Sequence, residues 1–489
     1  MPPATNVKPV RKNLALLTLI VAVVLEIVDM TIVNTALPAI SADLRGGSSS
    51  IQWVVAGYAL SFALLLMAGG RLGDSFGYRR IFLAGVVCFT LASLACGLAR
   101  SADELVIARV LQGAAAAIMS PQALSLIQVL FTPLERVSKL ALFGLIGGLA
   151  AIAGPILGGL LIEANLLGLG WRLIFFINLP VGLLAFVSGW LYLPDARSSR
   201  PAGFDPISTI LFGAAVLAIL WPLTRADAAW GLQEVLSLVL AMPILVLAFR
   251  HAAHRTGKGQ AALFDPALLK ISAFKLGLGI SIAFAAANAG FLLAFAFTLQ
   301  TERGASALTT GLLHMPFGIG AMFGIAVLTR NLLPRYEKWV LVAGGTVMAL
   351  CVGLVLHGAG SLQLAWPVLV PILFVTGLGM GTLSGAISPI SVARVDRDHA
   401  GAASAFLKTA QQMGAAFGIA IVGSAYFGWA RGAGVPASFA SAAMIALLLA
   451  LCIGFALRLP RGIFVAGENP GGAGDPAELH ASRGDPAHS

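Results

Sequence analysis

The run LEIVDMTIVNTALP, residues 25–38, decides how this chain is read. It lies inside the first strongly apolar stretch, yet it carries Glu26 and Asp29 with no basic residue beside them in sequence. A charge at the middle of a bilayer costs roughly 2.5–3.5 kcal/mol, so residues of this kind face a bundle interior or a water-filled cavity and serve an ion or a substrate. Three positions apart on a helix of 3.6 residues per turn, the two acids share a face. Two carboxylates that close in a low dielectric do not both ionise readily, so one is expected to hold an exchangeable proton. The alternative for Glu26 is a local polar pocket or a bond to a neighbouring span.

The whole chain has this character. Of its 489 residues 58% are hydrophobic and 11% charged, against about 25% charged in a soluble domain. Its 56 glycines suit helices that approach closely in lipid. The net charge of +10 comes from Lys and Arg scattered singly or in pairs between apolar runs, which excludes the clustered basic face of a nucleic-acid binder. Cys88, Cys96, Cys351 and Cys452 all lie in apolar runs and read as packing thiols, with no metal site and no disulfide framework.

Stretches long enough to cross about 30 Å of hydrocarbon fall at 14–38, 51–71, 80–99, 104–126, 138–162, 173–193, 207–224, 235–250, 272–298, 307–329, 339–358, 364–386, 402–428 and 437–458. Fourteen spans put both termini on one side, and the bias of the 31 Lys and Arg makes that side the cytoplasm. The spectrum of elements is all-α and polytopic. The expected organisation is an N-terminus (1–13), a six-helix bundle (14–193), two inserted spans with their loops (194–271), a second six-helix bundle (272–458) and a disordered tail (459–489). A weak internal repeat supports it, with Gly113 and Ser120-Pro121 of span 4 matching Gly377 and Ser388-Pro389 of span 12. Internal repeats are a transporter signature, with the site at the midplane between the halves.

Arg109 is expected to answer Asp29. It lies roughly 9 Å into span 4 from one face, and Asp29 roughly 12 Å into span 1 from the same face, at 1.5 Å per residue. Bonding of Arg109 to backbone carbonyls is the alternative. Residues taken to line the cavity are Asn34, Gln52, Trp53, Tyr58, Gln112, Asn288 and His314, with Gln122 and Gln411 read as interhelical glue. The interior of spans 9–14 is taken to hold no Asp, Glu, Lys or Arg, so His314 is its one near-neutral titratable group. Substrate charge is then answered from the first bundle, and neutral or monocationic lipophilic substrates are expected.

Between spans 2 and 3 stands GRLGDSFGYRR, residues 70–80, with Gly70, Gly73 and Gly77 for a tight turn, Asp74 as acceptor at a helix end, and Arg79 and Arg80. This pattern resembles the G-x-L-x-D-x-x-G loop of the major facilitator superfamily, with Tyr78 where the family usually has a basic residue. LVIARVLQGAAAA (105–117) is similar to its span 4 motif at Arg109, Gln112 and Gly113. AAIAGPILGG (150–159) is similar to its antiporter motif at Gly154, Pro155, Gly158 and Gly159, with Ala150 replacing a Gly. DMTIVNTALP, IQWVVAGYAL (51–60), WRLIFFINLPVG (171–182), LQTERGASALTTGLLHMP (299–316) and GAASAFLKTAQQMGAAFGIA (401–420) resemble the fourteen-span drug:proton antiporter branch.

The resemblance implies two six-helix bundles plus two inserted spans, coupling through Asp29, and gating by the 70–80 loop. It implies a transporter of the cell membrane, functional as a monomer, that exports lipophilic drugs in exchange for protons without a cofactor. A proton-coupled importer on the same fold is the alternative. A polytopic membrane enzyme is disfavoured, since the chain has no HExxH and no loop long enough for a folded catalytic domain.

Overall fold

The computed structural model describes residues 9–198, 203, 205–225, 231–260, 262–263, 266–396, 399–429, 434–460 and 462; most of the expected tail and residues 1–8 lie outside them. Fourteen long helices run antiparallel, joined mostly by short turns: α1 (Pro9–Leu44), α2 (Ser48–Phe76), α3 (Tyr78–Leu98), α4 (Ala102–Leu130), α5 (Pro133–Ala164), α6 (Gly170–Tyr192), α7 (Pro206–Leu223), α8 (Leu232–Gly257), α9 (Ser272–Glu302), α10 (Ala307–Tyr336), α11 (Lys338–Gly360), α12 (Trp366–Val392), α13 (Ala400–Ser424) and α14 (Ala437–Leu457). Thirteen are long and apolar enough to cross a membrane. The remaining one, α13, is as long but carries Lys408, Gln411 and Gln412.

Helices outrun the apolar stretches at their ends. α1 continues through Pro38 to Leu44, and polar residues start several helices: Ser101 accepts from Glu104 N at 3.2 Å, and Glu135 accepts from Thr132 N at 2.9 Å ahead of Pro133. These bonds satisfy orphan donors that lipid cannot. We call the end of the bundle that carries the 70–80 loop the loop side and the opposite end the far side.

α1–α6 pack into one bundle and α9–α14 into another. The repeat is visible in the packing. A Cβ on Gly113 of α4 would stand 2.3 Å from Tyr58 O of α2, and one on Gly377 of α12 would stand 1.9 Å from Phe317 O of α10. The same helix pair in each bundle therefore meets backbone to backbone at the matching glycine.

α7 and α8 pack on each other, and α7 also touches α2 and α13. On the far side Trp53 Nε1 donates to Thr224 Oγ1 at 2.9 Å, and Ser424 Oγ donates to Leu223 O. On the loop side Arg71 donates to Gly203 O and Ala262 O at 2.5 and 2.6 Å. Nearby Asp205 is buried, which alone would raise its pKa. Bonds from Ser208 N at 3.1 Å and Leu263 N at 3.2 Å, with Arg255 close by, instead hold it below the ordinary carboxylate range.

Candidate transport site

Asp29 of α1 is fully buried and both its oxygens are occupied. Oδ2 accepts from Arg109 Nη1 at 2.7 Å, and Oδ1 accepts from Gln112 Nε2 and from Asn178 Nδ2, each at 2.7 Å. Arg109 and Gln112 lie three apart on α4 and so project from one face. Arg109 Nη1 also donates to Gln112 Oε1 at 2.7 Å, and its Nε to Val54 O of α2 at 3.2 Å. Both sequence alternatives for Arg109, the carboxylate and the backbone carbonyl, are thus met at once. Its guanidinium carbon lies 4.2 Å from the Tyr58 ring centroid, a contact worth about 2 kcal/mol when desolvated.

Asn178 was quoted in a motif but not foreseen as a ligand of Asp29. It stands within α6, two residues before Pro180, and its amide also donates to Ser93 Oγ of α3 at 2.8 Å. Ser93 in turn donates to Phe175 O at 3.0 Å. A polar amide in the oily run FFINLPVG is the signal that marks it. α1, α2, α3, α4 and α6 therefore converge on one ion pair whose hydrogen bonds are satisfied, the condition under which a buried pair is tolerated.

Glu26, one turn closer to the loop side, is only 4% exposed, and its Oε2 has no hydrogen-bond partner among the described residues. Asp29, Ser120 and Lys408 face it. Lys408 corrects the expectation of an uncharged interior in spans 9–14. It stands six residues into the stretch assigned to span 13 and lies inside α13, with Nζ 3.4 Å from Ser120 Oγ and 5.4 Å from the Phe62 ring centroid. Its long apolar stem lets a lysine near the loop-side end of a span sit inside the bundle, which the expectation of an uncharged interior left out.

A cavity of about 250 Å³ lies between the halves, with Arg109, Asn34 and Tyr58 on one wall and Asn288, Gln411 and Gln412 on the other. Four residues expected there point elsewhere. Gln52 is buried against Gly423 of α13, where a Cβ would meet its Cδ at 2.8 Å. Trp53 is turned to Thr224. Gln112 holds Asp29. His314 donates from Nδ1 to Thr310 O of its own helix at 2.8 Å and sits edge-on to Phe295 at 5.0 Å. Sequence fixes the depth of a residue in its span but not the rotation of the helix, and rotation decided these four.

In the 70–80 loop Gly77 has φ of +99°, a conformation costly to any side chain, and its N donates to Gly73 O at 2.9 Å. Tyr78 OH donates to Asp74 at 2.9 Å, so the tyrosine that replaces a basic residue still answers the acid. Arg79 pairs with Asp195 at 3.2 Å and donates to Trp190 O. Arg80 is exposed beside a shallow pocket with Ala196 and Arg197. Gly73 leaves room for Gln122 of α4, which donates to Gly69 O at 2.7 Å, while Gly70 makes only ordinary contact with Pro121.

The 150–159 stretch lies on the far side. Gly154 and Gly158 press on Thr31 and Ile32 of α1. A Cβ on Gly159 would stand 2.4 Å from Ala307 O of α10, and one on Gly311 of α10 would stand 2.4 Å from Pro155 O. α5 and α10, one from each half, are in backbone contact there.

Two antiparallel six-helix bundles around a central cavity, with a buried ion pair at its wall, define a polytopic membrane transporter. The Major Facilitator Superfamily model matches residues 19–419, and the chain belongs to that family. It is 36% identical over 424 residues to a probable actinorhodin transporter of Streptomyces coelicolor, covering 86% of this chain and 73% of that one. It is 34% identical over 419 residues to the puromycin resistance protein pur8 of Streptomyces alboniger (84% and 81%), and 31% identical over 431 residues to the multidrug efflux pump LfrA of Mycolicibacterium smegmatis (88% and 84%). In fold it is similar to a bacterial homologue of the human lysosomal transporter Spinster, with TM-score 0.63 and 18% identity over 92% of this chain and 96% of that one. A peptide transporter of the POT family matches with TM-score 0.64 and 17% identity (91% and 94%).

Proposed function

We propose that the protein exports lipophilic small molecules across the cell membrane in exchange for protons, acting as a monomer with both termini in the cytoplasm. One observation carries the reading: a buried Asp29–Arg109 pair whose arginine lines a cavity between two halves, with a second buried acid one turn away that keeps one oxygen without a hydrogen-bond partner among the described residues. In a low dielectric such a pair of acids holds and releases a proton as its neighbours change. The drug- and antibiotic-resistance relatives support the direction of transport. So does the α5–α10 seam, where a motif tied by resemblance to antiporters closes one end of the cavity. The loop side is the cytoplasmic side, because basic residues concentrate there, and the 70–80 loop gates the switch between inward and outward openings. Neutral lipophilic compounds fit the largely uncharged cavity wall.

The test is transport by purified protein in liposomes with an imposed pH gradient. Uphill, gradient-dependent movement of a lipophilic dye is expected. Movement that ignores the gradient rejects proton exchange, and accumulation with the protons instead of against them selects the importer.

A further inference from the structure

Within this reading, we propose that Lys408 is a specificity-determining residue: a cation tethered to the second half that competes with cationic substrates for Glu26, so that the carrier favours neutral lipophilic compounds over permanent cations.

The charges at the cavity and just to its loop side point to this, since Arg109, Met30 and Gln411 line it and Glu26 and Lys408 follow within about one turn on the same helices as Met30 and Gln411. Asp29 spends both oxygens on Arg109, Gln112 and Asn178, so it has nothing to offer a cationic substrate without breaking its own pair. Arg109 is positive and faces the cavity. That leaves Glu26, whose Oε2 is buried and unpartnered among the described residues. The groups facing Glu26 are Asp29 on its own helix, Tyr58 from α2, Ser120 from α4 and Lys408 from α13. Of these only Lys408 is a cation. Its ammonium lies 3.4 Å from Ser120 Oγ and over the Phe62 ring, and its side chain is exposed on a helix of the bundle interior. A mobile four-carbon stem lets the ammonium swing toward an ionised Glu26 or away from a protonated one. A cationic molecule must displace it, whereas a neutral one need not. Specificity arises here by a repulsive group set against the wrong ligand class. Monocations, admitted by the sequence, become poor substrates.

The experiment uses full-length protein in detergent at about pH 8, where free carboxyls are ionised and lysine is charged. Tetraphenylphosphonium is the cationic probe and Nile red the neutral one. K408M is expected to bind tetraphenylphosphonium about tenfold more tightly, with Nile red affinity unchanged. K408R should behave as the unsubstituted protein, and adding E26Q to K408M should erase the gain. An unchanged selectivity in K408M overturns the proposal, as does a gain that survives E26Q or a failure of either form to bind the cation. Should K408M not yield folded protein, K408Q takes its place with the same expectations. In liposomes, a protein that pumps neither probe sinks the export reading, while the binding titrations still decide the role of Lys408.

Discussion

The two halves share a backbone plan and differ in what they bury. Four residues before Gly113 stands Arg109, and four before Gly377 stands Leu373. Both glycines press on the facing helix in the same way, and both Arg109 and Leu373 are buried. In its core the second half packs rings, with Phe291 5.5 Å from Phe295 and 5.4 Å from Phe317, the residue whose carbonyl faces Gly377. The first half places an ion pair in the equivalent region. Packing therefore requires the glycines in both halves, and the charge in one of them has another purpose.

Replacing the polar centre of the first half should break this comparison most severely. Asp29→Asn keeps the shape but cannot exchange a proton, and export under a pH gradient should fall to that of empty liposomes. Arg109→Leu makes the first half like the second and leaves Asp29 unpaired, costing about 3–5 kcal/mol as well as transport. Thermal unfolding in detergent separates the two variants. Persistent uphill export by Asp29→Asn removes Asp29 from coupling.

Next come the glycines. Gly113→Val and Gly377→Val each force two helices apart, and overpacking of this kind costs roughly 1–3 kcal/mol. Similar losses of thermal stability in the two are expected, and a loss in only one would break the equivalence of the repeats. Asp74→Ala should lower the transport rate about tenfold, as a gating change does, while substrate affinity measured by titration stays the same. The reverse pattern counts against gating.

The smallest effect belongs to His314→Gln. The ring bonds its own helix and sits off the cavity, so transport and its pH profile should change by less than about twofold. A shifted profile would place a proton in the second half.

Thirteen spans were legible because length and apolarity set them, and α13, less apolar, followed from its length; the Asp29–Arg109 pair was legible because both depths could be counted from one face. Asn178 was not, because its role depends on α6 meeting α3 and α1, a tertiary fact. Lys408 was missed although it lay within the expected span, because a lysine near a span's end reads as a headgroup anchor until its ammonium is seen beside Ser120 and Phe62. Gln52 and Trp53 were placed at the correct end of α2 but on the wrong side of it, since apolarity all round a buried helix leaves no stripe to orient it.

The end of α7 holds one further consequence. Thr224 is fastened to Trp53 of the first half, and Leu223 beside it to Ser424 of the second. Any motion that parts α2 from α13 on the far side has to snap one of these fastenings. With Arg71 of α2 also holding Gly203 and Ala262 on the loop side, the inserted pair would travel as cargo on the first half in the proposed export cycle, making any rocking of the two halves lopsided in mass and in drag against the lipid.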